Sequence, residues 1–265
     1  MRELVFNIVV NCVGRFCAAR DVVLGRIRLG GGGIIEAGGV TRHAIQSGRN
    51  RLDAVLITPE EGQVRASVLI CHGIGETVQH WLGVQRLLAA NGIVSLVFDY
   101  SGYGRSTGFF TPGQSEADAV AAFHFLQERS NSLPVTVLGF SLGSGIAAAI
   151  LPRVEANGLI LCSSFTSLRE AARSIGIPKA LGFGVPPIWR TREALRSSRV
   201  PVLIVHGERD WLFPTRMAME LGAACASPAE VVLVANVAHN EPFRRPQIAY
   251  WGHVIEHCPA RATGR

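Results

Sequence analysis

Lysine is almost missing from this 265-residue chain: among 26 basic residues only Lys179 is a lysine, and the arginines are scattered along the sequence. A nucleic-acid face needs basic residues clustered on one element, so the net charge of +6 does not point to nucleic acid as a partner. Charged residues make up only 17% against 48% apolar, a balance that can offset the entropy of ordering and excludes a disordered chain. No apolar run approaches the roughly 18 residues of a membrane-spanning helix, so no stable membrane span is expected. The six cysteines form no C-x-x-C pair and lack zinc-ligand spacing. They read as reduced, packed thiols, with the cytoplasm as the expected compartment. The length suits one large α/β domain or two small ones.

The N-terminal residues 1–39 are expected to be an extension of uncertain order. Their apolar stretch Leu4–Val13 is interrupted by Asn7 and Asn11, Glu3 spoils a basic leader, and Gly30–Gly33 with Gly38 and Gly39 form a flexible connector. A strand or helix lying on the core is the expectation for the apolar stretch, with weak membrane association second. From Val40 a regular rhythm begins. Val40–Ile45 and Leu52–Thr58 flank Ser47-Gly48-Arg49-Asn50 as a β-hairpin. Short apolar runs follow at Ala66–Cys71, Ile93–Phe98, Val135–Leu138, Gly158–Leu161, Val200–Val205 and Glu230–Val234, the pattern of strands buried on both faces. Helical spacing fills about 78–91, 114–130, 142–151, 214–225 and 243–257. A hairpin followed by repeated β-α units predicts a mostly parallel sheet with helices on both faces, within a domain spanning 40–265. The interval 165–199 is longer than one crossover needs and carries apolar residues with three prolines, which predicts a short lid.

Gly139-Phe140-Ser141-Leu142-Gly143 joins the strand ending at Leu138 to the alanine-rich segment 144–151. A G-x-S-x-G at a strand-to-helix turn presents a serine hydroxyl above the sheet edge, where a helix N-terminus favours developing negative charge. Such a hydroxyl needs a base to take its proton and an acid to orient that base, both on loops after later strands. His206-Gly207-Glu208-Arg209-Asp210 supplies Asp210, with Glu208 as competitor, and Val237-Ala238-His239-Asn240 supplies His239. The expected set is Ser141, Asp210 and His239; His253 and His257 lie in a helical stretch and are poorer candidates. Two backbone donors should face the oxyanion: Leu142 N–H after the nucleophile, and Ile74 N–H in His72-Gly73-Ile74-Gly75. A Cys71–His72 dyad is disfavoured, since neighbours on a strand point to opposite faces.

These segments together make the chain resemble an α/β-hydrolase over about residues 40–258: HGIG after the third strand, GFSLG at the elbow, HGERD after the seventh and AHN after the eighth. The run Asp99–Gly108, a D-x-x-G-x-G-x-S segment, is similar to the serine-aminopeptidase-like branch and to acyl-protein thioesterases. The resemblance implies the family's triad on Ser141, Asp210 and His239 and its oxyanion hole at Ile74 and Leu142. Asp99 and Ser106 are expected to form turns, and Tyr103, Phe140, Phe183 and Trp189 to line a substrate pocket. The expected activity is hydrolysis of a small acyl substrate, a carboxylic ester, through an acyl-enzyme. Thioesterase, peptidase or lyase chemistry with the same triad, and a non-catalytic binding scaffold, remain open at this level. No metal or organic cofactor is implied, because side chains, backbone donors and water suffice.

Overall fold

Among the described residues, eight strands build one sheet in the order β1-β2-β4-β3-β5-β6-β7-β8. In this computed structural model, residues 38–131, 133–176 and 185–258 are described. The strands are β1 (Val40–Ser47), β2 (Asn50–Ile57), β3 (Ala66–Cys71), β4 (Ile93–Phe98), β5 (Val135–Phe140), β6 (Gly158–Cys162), β7 (Val202–Gly207) and β8 (Ala229–Val234). The hairpin β1–β2 turns through Gly48, whose φ of 56° suits glycine. It joins the sheet antiparallel through β2 and β4, with Ala54 opposite Phe98; every pairing from β4 through β3 to β8 is parallel.

Parallel neighbours require crossovers, and the crossovers are helices on both faces. The helices are α1 (Val78–Ala89), α2 (Pro112–Arg129), α3 (Leu142–Ile150), α4 (Leu168–Ser174), α5 (Thr191–Ser197), α6 (Thr215–Ala224), α7 (Glu241–Arg244) and α8 (Ile248–His257). One core packs α1, α7 and α8 against Val68, Ile70, Leu138 and Ile160. The other packs α2, α3, α5 and α6 against Leu69, Val137, Leu161 and Ile204. Strands β3 to β7 are therefore buried along their whole length, which is why they are written in nearly unbroken apolar residues.

Strand β8 departs from the expectation of burial on both faces. It lies at the edge of the sheet, and none of its residues is buried. The expected helix over 243–257 is two elements, α7 and α8, divided at Arg245–Gln247, where Pro246 cannot supply a helical N–H. The interval 165–199 holds α4 and α5, while 177–184, with Phe183, lies outside the described residues. Residues 1–37, including the expected N-terminal strand or helix, lie outside them too. Among the described residues no helix is long and apolar enough to cross a membrane.

Candidate active site

The parallel strands end at one rim, and the loops leaving that rim carry the polar residues singled out above. Strand β5 runs directly into α3 through Ser141, whose φ of 51° and ψ of −118° lie where L-residues are strained. Two glycines permit the turn. A Cβ on Gly139 would sit 2.5 Å from Gly143 O and 2.6 Å from Ser144 Cα. One on Gly143 would sit 1.9 Å from Cys71 O. The start of α3 is thus seated against the end of β3 and the turn that follows it.

Loops after β7 and β8 meet Ser141. Gly207 lets them touch, since a Cβ there would lie 2.2 Å from Val237 O, and Arg209 N–H donates to that same carbonyl at 3.0 Å. The turn carrying His239 is fixed by Ala238 N–H donating to Glu241 at 2.7 Å. His239 Nδ1 lies 2.7 Å from Asp210 Oδ2, and His239 Nε2 lies 2.9 Å from Ser141 Oγ. The second Asp210 oxygen accepts N–H groups from Leu212 and Phe213, both at 2.9 Å.

Burial alone would raise the Asp210 carboxyl, but the His239 imidazole, His206 and the Phe213 N–H together hold it below the ordinary carboxylate range. An ionised Asp210 accepts a hydrogen bond from His239 Nδ1–H, and with the ring proton kept on Nδ1 the Nε2 lone pair is aimed at the serine hydroxyl. Ser141 and His239 are both buried, and the imidazole is held between the rings of Phe140 at 5.5 Å and Phe213 at 5.3 Å. The competitor Glu208 is exposed. His253 and His257 sit on α8 and take no part in this chain of bonds.

The turn after β3 is held by a residue the motif reading did not single out. Glu76 is buried, and its Oε2 accepts the N–H of Gly73 at 2.9 Å and Trp81 Nε1–H at 2.8 Å. Tyr100 donates its hydroxyl to His72 O at 3.1 Å. Gly73 N–H is thereby committed, and Ile74 N–H is the next donor in the turn. The sequence signal for Glu76 is a carboxylate three residues beyond the glycine it serves, amid apolar neighbours. Asp99 and Ser106 act as turn formers: Asp99 Oδ1 accepts Val78 N–H at 2.8 Å, and Ser106 bridges Asp99 O at 2.6 Å and Asp53 N–H at 2.9 Å.

The expected pocket residues are placed unequally. Tyr103 is half-buried on the loop after β4, its ring 5.6 Å from His72 and 5.1 Å from Phe110. Phe140 is fully buried and packs on Trp81 and Phe243 as well as His239, so it backs the imidazole. Trp189 is buried too, against Gly145 and with Nε1–H donated to Glu116 at 3.1 Å. Phe140 ends a central strand, and Trp189 fills the site that a glycine on α3 leaves free. Phe183 lies outside the described residues.

With the geometry established, comparison with known proteins gives consistent results. A serine aminopeptidase (S33) family model matches residues 62–191. An uncharacterized protein of Mycobacterium tuberculosis is 31% identical over 182 residues, covering 66% of this chain and 63% of that protein. Lysophosphatidylserine lipase ABHD12 of Macaca fascicularis is 30% identical over 184 residues, covering 62% of this chain and 46% of its own length. The chain therefore spans less than two thirds of these relatives. An esterase of Pyrococcus furiosus superposes with a TM-score of 0.67 at 20% identity, over 87% of this chain and 94% of that one. Strand order, elbow and these likenesses agree: the chain has the α/β-hydrolase fold and is similar to the serine aminopeptidase (S33) family.

Proposed function

We propose that the chain is a serine hydrolase that cleaves a carboxylic ester through an acyl-enzyme on Ser141. The observation that carries this reading is the continuous hydrogen-bonded series from Ser141 Oγ through the His239 imidazole to Asp210 at a strained strand-to-helix turn. Ser141 Oγ attacks the substrate carbonyl while His239 Nε2 takes the hydroxyl proton, and Asp210 stabilises the imidazolium that results. The new oxyanion accepts hydrogen bonds from Leu142 N–H and Ile74 N–H. Collapse expels the alcohol, which leaves with the proton held on His239. Water then attacks the acyl-enzyme, giving its proton to His239, and release of the acid restores the Ser141 hydroxyl.

An ester is favoured because relatives and structural neighbours described as a lipase and an esterase support that reading. The experiment is a panel of 4-nitrophenyl esters, thioesters and peptide amides of matched acyl length, assayed with wild type and Ser141→Ala. Ester turnover that disappears in the variant upholds the reading. Preference for the thioester or the amide would move the chain to a different reaction class, and ester turnover persisting in the clean variant would overturn the reading.

A further inference from the structure

Two clefts on the site-bearing rim meet at Arg173. One, of about 550 Å³, runs beside Asp210 and is walled by Trp211, Leu212 and Met217. The other, about 280 Å³, lies between α4 and the start of α5 and is lined by four guanidiniums, those of Arg169, Arg173, Arg190 and Arg192, against the two carboxylates of Glu170 and Glu193. Its residue Thr166 follows Phe165, whose ring packs on Phe213 at 5.5 Å, and Phe213 in turn packs on the His239 imidazole. The smaller cavity is thus one aromatic layer removed from the ring that holds the imidazole.

Charge in this cavity is not balanced. Glu193 is taken by Arg190 at 2.5 Å, and Glu170 accepts the Thr166 hydroxyl. Arg192 reaches outward to Glu220 at 3.4 Å. Arg169 donates Nε–H to Val185 O at 2.9 Å and has no carboxylate partner among the described residues; Arg173 has no ion pair among them either. The intervening sequence 177–184, IPKALGFG, contains no acidic residue. Arg169 and Arg173 stand four apart on α4, a spacing at which like charges repel, and Glu170 is the one carboxylate of that helix beside them. Arginine is this chain's default cation, so its identity means little. What matters is that two guanidiniums without an ion-pair partner among the described residues, set against the single carboxylate of Glu170, line a cavity next to the reactive rim.

We propose that this cavity holds an anionic group, a phosphate or carboxylate, borne by the ester substrate, with Arg169 and Arg173 as its principal contacts. The proposal rests on the ester-hydrolase reading and narrows its substrate class to esters carrying a negative charge away from the scissile bond. Guanidinium forks bind such groups through paired N–H donors, and one charge-assisted contact carries enough free energy for a change of about tenfold in affinity.

The test compares a neutral ester, 4-nitrophenyl hexanoate, with mono-4-nitrophenyl adipate, which ends in a carboxylate. In wild type, the anionic ester should show the lower KM, and added salt should narrow the gap. Arg173→Ala should raise KM for the adipate by about tenfold and leave the hexanoate within twofold, with kcat unchanged for both. Arg169→Gln should act in the same direction. Inorganic phosphate should compete with the adipate and leave hexanoate turnover untouched. Equal responses of the two esters to Arg173→Ala would overturn the proposal while hexanoate turnover still upheld the hydrolase reading. Phosphate that alters hexanoate turnover in wild type and not in Arg173→Ala would also overturn it, by making the ligand a free anion instead of a substrate group. If neither ester reacts, the hydrolase reading fails and the substrate assignment fails with it.

Discussion

Glu76 Oε2 accepts the Gly73 N–H at 2.9 Å, and this one bond fixes the turn in which Ile74 N–H is the next available donor. The carboxylate also takes Trp81 Nε1–H, which ties α1 to the turn. In the proposed mechanism Ile74 N–H is one of two oxyanion donors; removing such a donor outright costs about 10²–10³ in kcat, and a loosened one should cost less. Glu76→Ala is therefore expected to lower ester kcat by about 10–100-fold with KM little changed. Glu76→Gln, whose amide oxygen can accept the same N–H, should recover most of the rate. Steady-state kinetics on the three proteins checks this, and an effect confined to KM would contradict it.

A second prediction concerns how α3 is seated. A Cβ on Gly143 would lie 1.9 Å from Cys71 O and 2.7 Å from His72 O, both backbone atoms that cannot rotate away. Gly143→Ala should destabilise the fold by about 1–3 kcal/mol and reduce turnover, because the start of α3 must back away from the turn carrying Ile74. Gly113→Ala, where nothing lies within 4 Å, is the control and should leave both unchanged. Thermal melts and ester kinetics give the comparison.

Backbone strain at Ser141 should be measurable separately from its hydroxyl. Neither Ser141→Gly nor Ser141→Ala keeps the bond to His239, yet only glycine occupies φ 51°, ψ −118° freely. Strain of this kind costs on the order of 1–3 kcal/mol, partly offset by glycine's larger unfolded-state entropy of roughly 0.5–1 kcal/mol. Both variants should be inactive, and Ser141→Gly should be the more stable by about 1 kcal/mol in urea unfolding. Equal stability would show that the turn is not strained.

Asp99 sets a pH dependence of stability. Its burial pushes the carboxyl up to about 7, despite the N–H donated by Val78. The folded protein then keeps a proton that the unfolded chain releases near its ordinary value of 3.8. Stability conferred at low pH is accordingly lost as pH rises from about 4 towards 7. Asp99→Asn retains an oxygen for the Val78 N–H and should flatten that decline. A remainder should persist from Glu76, which burial also pushes up to about 7. Urea unfolding of wild type and Asp99→Asn from pH 4 to 8 reads the difference, and parallel curves would refute it.

Much of this architecture is legible in the chain before any coordinates. Apolar runs placed β3 and β4 at their observed limits, Ala66–Cys71 and Ile93–Phe98, because strands covered on both faces leave little room for polar residues. The meeting of Ser141, Asp210 and His239 in one hydrogen-bonded series was legible because turn chemistry and chain order constrain them jointly. Exposure of β8 was not, since an edge strand and a central one share the same β-branched composition. The packing of Phe140 and Trp189 was not legible for a related reason: an aromatic beside a reactive group looks the same in sequence whether it faces a ligand or supports a side chain from behind. Glu76 escaped notice because its role depends on bonds to Gly73 and Trp81 that only the folded turn brings together.

The most direct test of the account is covalent labelling by a fluorophosphonate probe, with the modified peptide located by mass spectrometry. A serine activated by His239 and Asp210 should be phosphonylated stoichiometrically at Ser141, and labelling should disappear in Ser141→Ala and fall sharply in His239→Ala. Folded wild type that resists the probe, or labelling that survives in Ser141→Ala, would contradict the proposed nucleophile.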